Sequence, residues 1–405
     1  MHRQLEKSTQ EVGENRAMKK TIVLRGPVLS QSGYGVHCRQ IANWLLSKND
    51  VTVKFHVLPW GDTPWYINPS DLNGLVGKIM ENTVEQSFRG DISLQLQLPN
   101  EWDNNVAKIN IGLTAGVETD KCNPAWLHKI NLMDRLIVPS NHALQCFKNT
   151  GEIKIPFRVI PESFVDGLEN IESNEMHDLQ FSTNFNFLIF GQLTGNNAFN
   201  DRKNTFFTIK WLCETFKNDK DVGIVIKTNT GRNTKLDRKN VKAIFEKLIS
   251  ECRQGPFPKI HLLHGELSEK EVCSLYKHPQ IKALISATRG EGYGLPTLEA
   301  AASGLPIIAT NWSGHLDFLK KGRFIDIDYD LLELHPSRID DKIFMKGAKW
   351  ANPKEEDFKK KVLKFRNSNQ VPKEWAENLK NKLLKEYSSS QVFNYYDEFL
   401  GDIIS

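Results

Sequence analysis

The sequence lacks several features that would place it in a class at once. Its six cysteines, at 38, 122, 146, 213, 252 and 273, include no CxxC pair and no His–Cys cluster. Neither a zinc set nor a disulfide framework is indicated, and reduced thiols in the cytoplasm are the expectation. No apolar run approaches the ~18 residues of a membrane span, and the opening MHRQLEKSTQEVGENRAMKK has no apolar core of a secretory signal. The first glycine-rich turn, GPVLSQSGYG, contains no GxGxxG, and GEGYGL misses that pattern because Leu295 stands at its third glycine. A dinucleotide dehydrogenase and a kinase glycine loop are both disfavoured. Repeats and low-complexity tracts are missing too. Neither charge sign dominates: 53 Lys and Arg against 49 Asp and Glu leave +4, which permits contact with anionic lipid or nucleic acid without demanding it.

What is present is a succession of short β-branched runs and amphipathic segments. At 405 residues, 40% of them hydrophobic, the chain exceeds one ordinary core, and two domains are expected. Residues 1–19 read as a flexible extension. Strands are expected at 21–24, 51–55, 92–96, 109–114, 136–138 and 157–160, with helices near 34–46 and 141–148. A polar, Glu- and Asn-rich passage over 166–184 reads as a linker. The pattern resumes with strands at 187–190, 222–227, 259–263, 282–286 and 306–309. Residues 20–165 and 185–352 are thus each expected to form a parallel, doubly wound α/β layer structure, followed by a Lys-rich helical region over 353–405. Ligands of such sheets bind beyond the carboxyl ends of the strands.

One local unit carries most of the chemistry. In ATRGEGYGLPTLEAAASGLPIIAT, residues 287–310, an apolar strand leads into a glycine-rich turn, a short helix with Pro296 in its first turn, and a second strand after Gly304. The start of that helix presents unpaired amides and the positive end of its dipole, a seat for phosphate. Gly290, Gly292 and Gly294 allow close approach to the backbone. Glu291 and Glu299 stand on either side, since residues 291–295 span at most about 16–18 Å. A ligand with hydroxyls at both ends and phosphate in the middle matches, and a nucleotide sugar is such a molecule. In GQLTGNNAFNDRKNT, Arg202 and Lys203 precede a helix, where a cation can neutralise a departing diphosphate. A solvated basic pair is the bland alternative; the glutamate loop in the same half favours the functional reading for Lys203.

Other candidates weigh less. His37, His128, His142 and His315 have no paired spacing and are expected to be structural. Asp326 and Asp328 resemble a metal-binding DxD but are most simply a strand end. Trp60 and Trp65 sit in a Pro-rich loop and are expected to pack beneath it rather than stack on an acceptor. Two glutamates could serve a glycoside hydrolase, but one of these lies beyond a helix start that needs an anion.

These residues resemble the GT-B retaining glycosyltransferases of the large family-4 type. GEGYGLPTLEAAASGLPIIAT resembles the E-x7-E signature, with Glu291 and Glu299 in the signature positions, and HGELSEKEVCSLY and NWSGHLDFL resemble its flanks. LRGPVLSQSGYG, GVETDKCNPAWLHKINLMDRLIVPSNHALQCF and VIPESFVD are similar to segments of the family's first domain. The resemblance implies two Rossmann-like domains facing across a cleft, with the last helix crossing back onto the first. It implies that Glu291 meets sugar hydroxyls, Glu299 the ribose, the amides of Gly292, Tyr293, Gly294 and Leu295 the sugar and diphosphate, and Lys203, beside Arg202, the diphosphate. Gly33 and Gly35 would close over the phosphates from the other domain. The anomeric configuration is kept, and neither a divalent metal nor any cofactor beyond the nucleotide-sugar substrate is needed. Two departures stand out: Gln192 replaces an arginine common in the family, and Glu118 stands near the place of an acceptor-side histidine. A degenerate nucleotide-sugar-binding module, or a GT-B epimerase or phosphorylase, would share the same seat. The location expected is cytoplasmic or peripheral to a membrane, and the acceptor is not legible.

Overall fold

The computed structural model describes residues 19–404 apart from 174, 175, 177, 178, 196 and 230. The extension expected over 1–19 lies, except for Lys19, outside the described residues. The apolar runs form two sheets. In the first half, β1 (Lys20–Gly26), β2 (Val51–Val57), β3 (Gly90–Leu96), β4 (Ala107–Leu113), β5 (Arg135–Val138) and β6 (Phe157–Val159) lie in the order β2-β1-β3-β4-β5-β6. In the second half, β7 (Phe185–Phe190), β8 (Val222–Thr228), β9 (Lys259–His264), β10 (Ile281–Ser286), β11 (Ile307–Thr310) and β12 (Ile325–Ile327) lie in the order β12-β11-β10-β7-β8-β9. Every neighbouring pair is parallel.

Parallel strands buried on both faces read as continuous apolar runs, which is why FNFLIF, VGIVIKT and IKALIS stand out in the sequence. Alternate residues feed two cores: Leu188, Val225 and Leu284 one, Phe187, Ile224 and Ile285 the other. Strand order reverses between β1 and β3 in the first sheet and between β7 and β10 in the second. The crevice at such a reversal, beyond the carboxyl ends, is where ligands of these sheets bind.

Three C-terminal helices tie the halves together. Helices Glu355–Asn367 and Gln370–Glu386 cover the second sheet through Phe358, Val362 and Phe365, and through Leu379 and Leu383. Helix Ser389–Ile404 crosses back and places Val392, Tyr396, Leu400 and Ile404 in the core of the first sheet, where Tyr396 stacks on Trp44 at 4.8 Å. No helix among the described residues is long and apolar enough to cross a membrane.

One region departs from the sequence expectation. Residues 185–352 do not all stay with the second sheet. After β12 the chain forms an antiparallel hairpin of β13 (Tyr329–Glu333) and β14 (Lys349–Pro353). Leu334, Phe344, Ala348 and Trp350 enter the core around Trp102, Trp126 and Phe147 of the first half. Backbone bonds secure this excursion: Asp120 N donates to Lys349 O at 2.9 Å, and Lys349 N to the Asp120 carboxylate at 2.6 Å. Its apolar residues follow neither a helical nor a strand period, so the sequence carries no sign of it.

Candidate functional site

The glycine-rich loop follows β10 at the reversal between β7 and β10. Helix Leu295–Ala302 begins one residue before Pro296, with Gly294 as its N-cap at φ +101°, a left-handed conformation that favours glycine. The buried loop amides in front of it are unusual. Glu291 N donates to Ser313 Oγ at 2.9 Å, but the amides of Gly292, Tyr293, Gly294 and Leu295 meet no acceptor among the described residues. Buried backbone donors are seldom left unpaired, and four in succession at a helix start are the kind of group that an anion binds.

Four charged side chains meet beside this seat. Lys203 Nζ donates to Glu291 Oε1 at 2.6 Å; Arg202 Nη1 lies 3.2 Å from Glu291 Oε2 and its Nε 3.3 Å from Glu118 Oε1. The Arg202–Glu118 pair joins the two halves. Asp201 positions both cations, because its carboxylate accepts from Thr194 N, Thr194 Oγ1 and Thr205 N and so folds the loop after β7 against the next helix. Burial pushes the Glu291 pKa up, but Lys203 and then Arg202 outweigh it and hold the carboxyl at about 2. Glu299 differs. Buried, with Tyr276 Oη donating to it at 3.2 Å, it is pushed up to about 8 by burial, with Glu269 adding to the effect. Glu162, three residues beyond β6, is likewise raised to about 8 by burial and then by Glu299. Sequence reasoning missed Glu162 and Tyr276 because both lie far along the chain from Glu299.

The remaining expected residues are placed unevenly. Gly33 faces open space, whereas Gly35 is committed to the first turn of helix Gly33–Leu46: its amide donates to the N-cap Ser32 Oγ at 3.1 Å, and a Cβ there would meet Ser30 O at 2.0 Å. It cannot close over phosphates through that amide. Tyr293 offers only its amide, since its buried hydroxyl donates to Glu162 O at 2.6 Å. Gly290 and Gly292 permit close approach, but by the protein itself: a Cβ would meet Glu118 O at 2.3 Å or Ala115 O at 2.7 Å. Ser140 Oγ adds a bond to Gly292 O at 2.6 Å. The first half thus seals the loop, leaving a cavity of about 30 Å³ lined by Phe190, Lys203, Glu291, Gly294, Pro296 and Thr297. That is room for a water molecule rather than a nucleotide sugar.

Elsewhere, Trp60 stacks on Tyr34 at 3.9 Å, and His315 Nε2 bonds Thr310 O at 2.7 Å. Asp326 lies within 3.4 Å of Lys361, and among the described residues no three His, Cys, Asp or Glu side chains gather as a metal would need. Many tail cations are paired internally: Lys359 with Glu214 and Glu355, Lys361 with Asp357, Arg366 with Asp219 and Asp221.

Residues 244–382 match the family model described as glycosyl transferases group 1. No curated protein matches the sequence. Among solved structures, the chain is similar to sucrose-phosphate synthase from Thermosynechococcus elongatus, with a TM-score of 0.63 at 12% identity over 95% of this chain and 99% of that one. A UDP-forming α,α-trehalose-phosphate synthase from Burkholderia xenovorans gives 0.62 at 10% identity over 96% and 100%. The Anabaena protein HepE in complex with UDP-glucose gives 0.60 at 11% over 95% and 100%. The chain accordingly has the GT-B fold, and its residues 244–382 are similar to the glycosyl transferases group 1 family.

Proposed function

We propose that the protein is a retaining glycosyltransferase that moves a sugar from a nucleoside-diphosphate donor to a hydroxyl acceptor. The observation that carries this reading is the run of four unpaired amides at 292–295, flanked by Glu291 with Lys203 on one side and Glu299 on the other. The two structural relatives named for UDP chemistry favour a nucleotide sugar as the donor.

In this account the diphosphate sits on the amides of Gly292–Leu295, Glu299 accepts from the ribose and Glu291 from the sugar hydroxyls. Opening of the two halves admits the donor, and reclosing excludes water. The bond from the anomeric carbon to the diphosphate oxygen then breaks. Lys203, Arg202 and the helix start stabilise the charge that gathers on the leaving group. The acceptor oxygen bonds the anomeric carbon on the face the diphosphate leaves, and its proton passes to the departing oxygen beside it. No metal is required in this scheme. Glu118, through Arg202, holds the acceptor side of the cleft against the donor side, and Gly33 would let the first half approach the phosphates closely.

A panel of nucleotide sugars, scored by thermal stabilisation and by release of nucleoside diphosphate with candidate acceptors, tests the proposal. One donor is expected to stabilise the protein and turn over, Glu291→Ala to abolish turnover and Lys203→Ala to lower it strongly. Wild-type turnover in both variants would refute the assignment. Tight binding without transfer or hydrolysis of any donor would make the protein a binding module.

A further inference from the structure

Strand β8 alternates its side chains between the faces of the second sheet. Ile224 and Ile226 enter one core with residues of helices Thr205–Thr215 and Lys235–Cys252, whereas Val225 enters the other with Leu298 and Ala301 of helix Leu295–Ala302. Lys227, two residues beyond Val225, lies on the face that this last helix covers, at the carboxyl end of the strand where ligands of such sheets bind. Its register partner on β7 is Phe190. Phe190 lines the cavity with Lys203, Glu291 and Gly294, and its ring lies 5.9 Å from that of Tyr276, which donates to Glu299. Lys227 thereby lies beside Phe190 at the margin of that cavity, with its ammonium turned to Gly265, just beyond β9.

The partners of Lys227 are too few for a buried cation. The residue is 6% exposed. Its ammonium has three protons to donate and one acceptor among the described residues, Gly265 O at 2.6 Å. Burial lowers its pKa to about 8, opposed by the more distant charge of Glu266. That carboxylate is already engaged by Gln31 Nε2 of the first half at 2.5 Å. A buried ammonium with a carbonyl as its partner is costly until an anion joins it.

The neighbouring cations cannot fill that role alone. Arg202 and Lys203 are matched by Glu118 and Glu291, two positive charges against two negative ones. Arg289 and Arg338 are stacked on Trp350 and Phe344. A diphosphate arriving at the amides of 292–295 brings at least two further negative charges, and Lys227 is a buried cation with no carboxylate bonded to it among the described residues.

We propose that Lys227 is a further donor-binding residue, its ammonium pairing with the diphosphate of the nucleotide sugar. Gly265 O holds the ammonium in place and the ligand supplies the remaining acceptors. This rests on the donor reading above and assigns a residue from a strand outside the glutamate signature and the Arg202–Lys203 turn.

Calorimetric titration of UDP and of uridine, with the ADP and GDP pairs where the base differs, into wild type, Lys227→Met, Lys227→Arg and Lys203→Met tests it. Lys227→Met is expected to weaken diphosphate binding about tenfold or more, as loss of a charge-assisted bond does, while leaving the nucleoside unaffected. Lys227→Arg, which keeps the charge, should retain most of the affinity and shows that the pocket tolerates a long side chain. Equal weakening of nucleoside and nucleoside diphosphate in Lys227→Met would identify a mere clamp on Gly265 and overturn the proposal, as would wild-type UDP binding in that variant. Diphosphate binding lost in Lys203→Met but kept in Lys227→Met would sink this inference alone. No binding of UDP, ADP or GDP by wild type would overturn the donor reading and this assignment with it.

Discussion

Glu291 and Glu299 are both buried, yet their surroundings drive them in opposite directions. Glu291, held at about 2 against an ordinary 4.5, contributes stability that is present above pH 4.5 and lost as the pH falls towards 2. Glu299, raised from 4.5 to about 8, contributes stability that is complete below pH 4.5 and lost as the pH rises through 8; Glu162 has the same sign. Glu299→Gln removes that loss. The variant is expected to gain on wild type by roughly 3 kcal/mol between pH 5 and pH 8 in scanning calorimetry, and a difference independent of pH would contradict the burial of an uncompensated carboxyl. Glu291, Glu299 and Lys203 were legible because each sits in a local strand, turn and helix unit whose spacing constrains it. Glu162 and Tyr276 were not, because tertiary folding alone brings them beside Glu299. The glycines were legible as positions of close approach, but not that Ala115 and Glu118, rather than a ligand, make the approach at Gly290 and Gly292.

At the scale of elements, the parallel strands announced themselves as unbroken apolar runs, and the helix start after β10 did so through Gly294 and Pro296. The β13–β14 hairpin did not, because Leu334, Phe344 and Trp350 are spaced irregularly and gain their meaning from the first half's core. Trp350 is 2% exposed there, and Arg289 lies over its ring at 5.7 Å. Trp350→Ala is expected to destabilise the protein by about 3–5 kcal/mol, as loss of a fully buried aromatic side chain does, measured by urea denaturation. A change near zero would show that the hairpin merely rests on the surface. The tail helices were legible as a Lys-rich helical region, but not their pairing: the structure joins Lys359, Lys361 and Arg366 to carboxylates of the chain itself.

For the whole molecule, the halves are joined at the linker, at the returning helix Ser389–Ile404 and at the sealed loop itself. The Arg202–Glu118 pair, the Ser140–Gly292 bond and the two glycine contacts hold that loop shut, and under the proposed function donor entry requires them to part. Glu118→Gln weakens the seal while keeping the size of the side chain. Hydrogen exchange at 290–294 is expected to speed up in this variant with exchange in β7, β8 and β10 unchanged, and identical exchange throughout would remove Glu118 from the closure. The most direct test of the central claim is a crystal structure with the donor that stabilises the protein. The account predicts diphosphate oxygens about 3 Å from the amides of Gly292–Leu295, with Glu299 on the ribose and Lys203 turned from Glu291 towards the phosphates. A donor bound elsewhere, with those four amides empty and Lys203 still locked on Glu291, would contradict it.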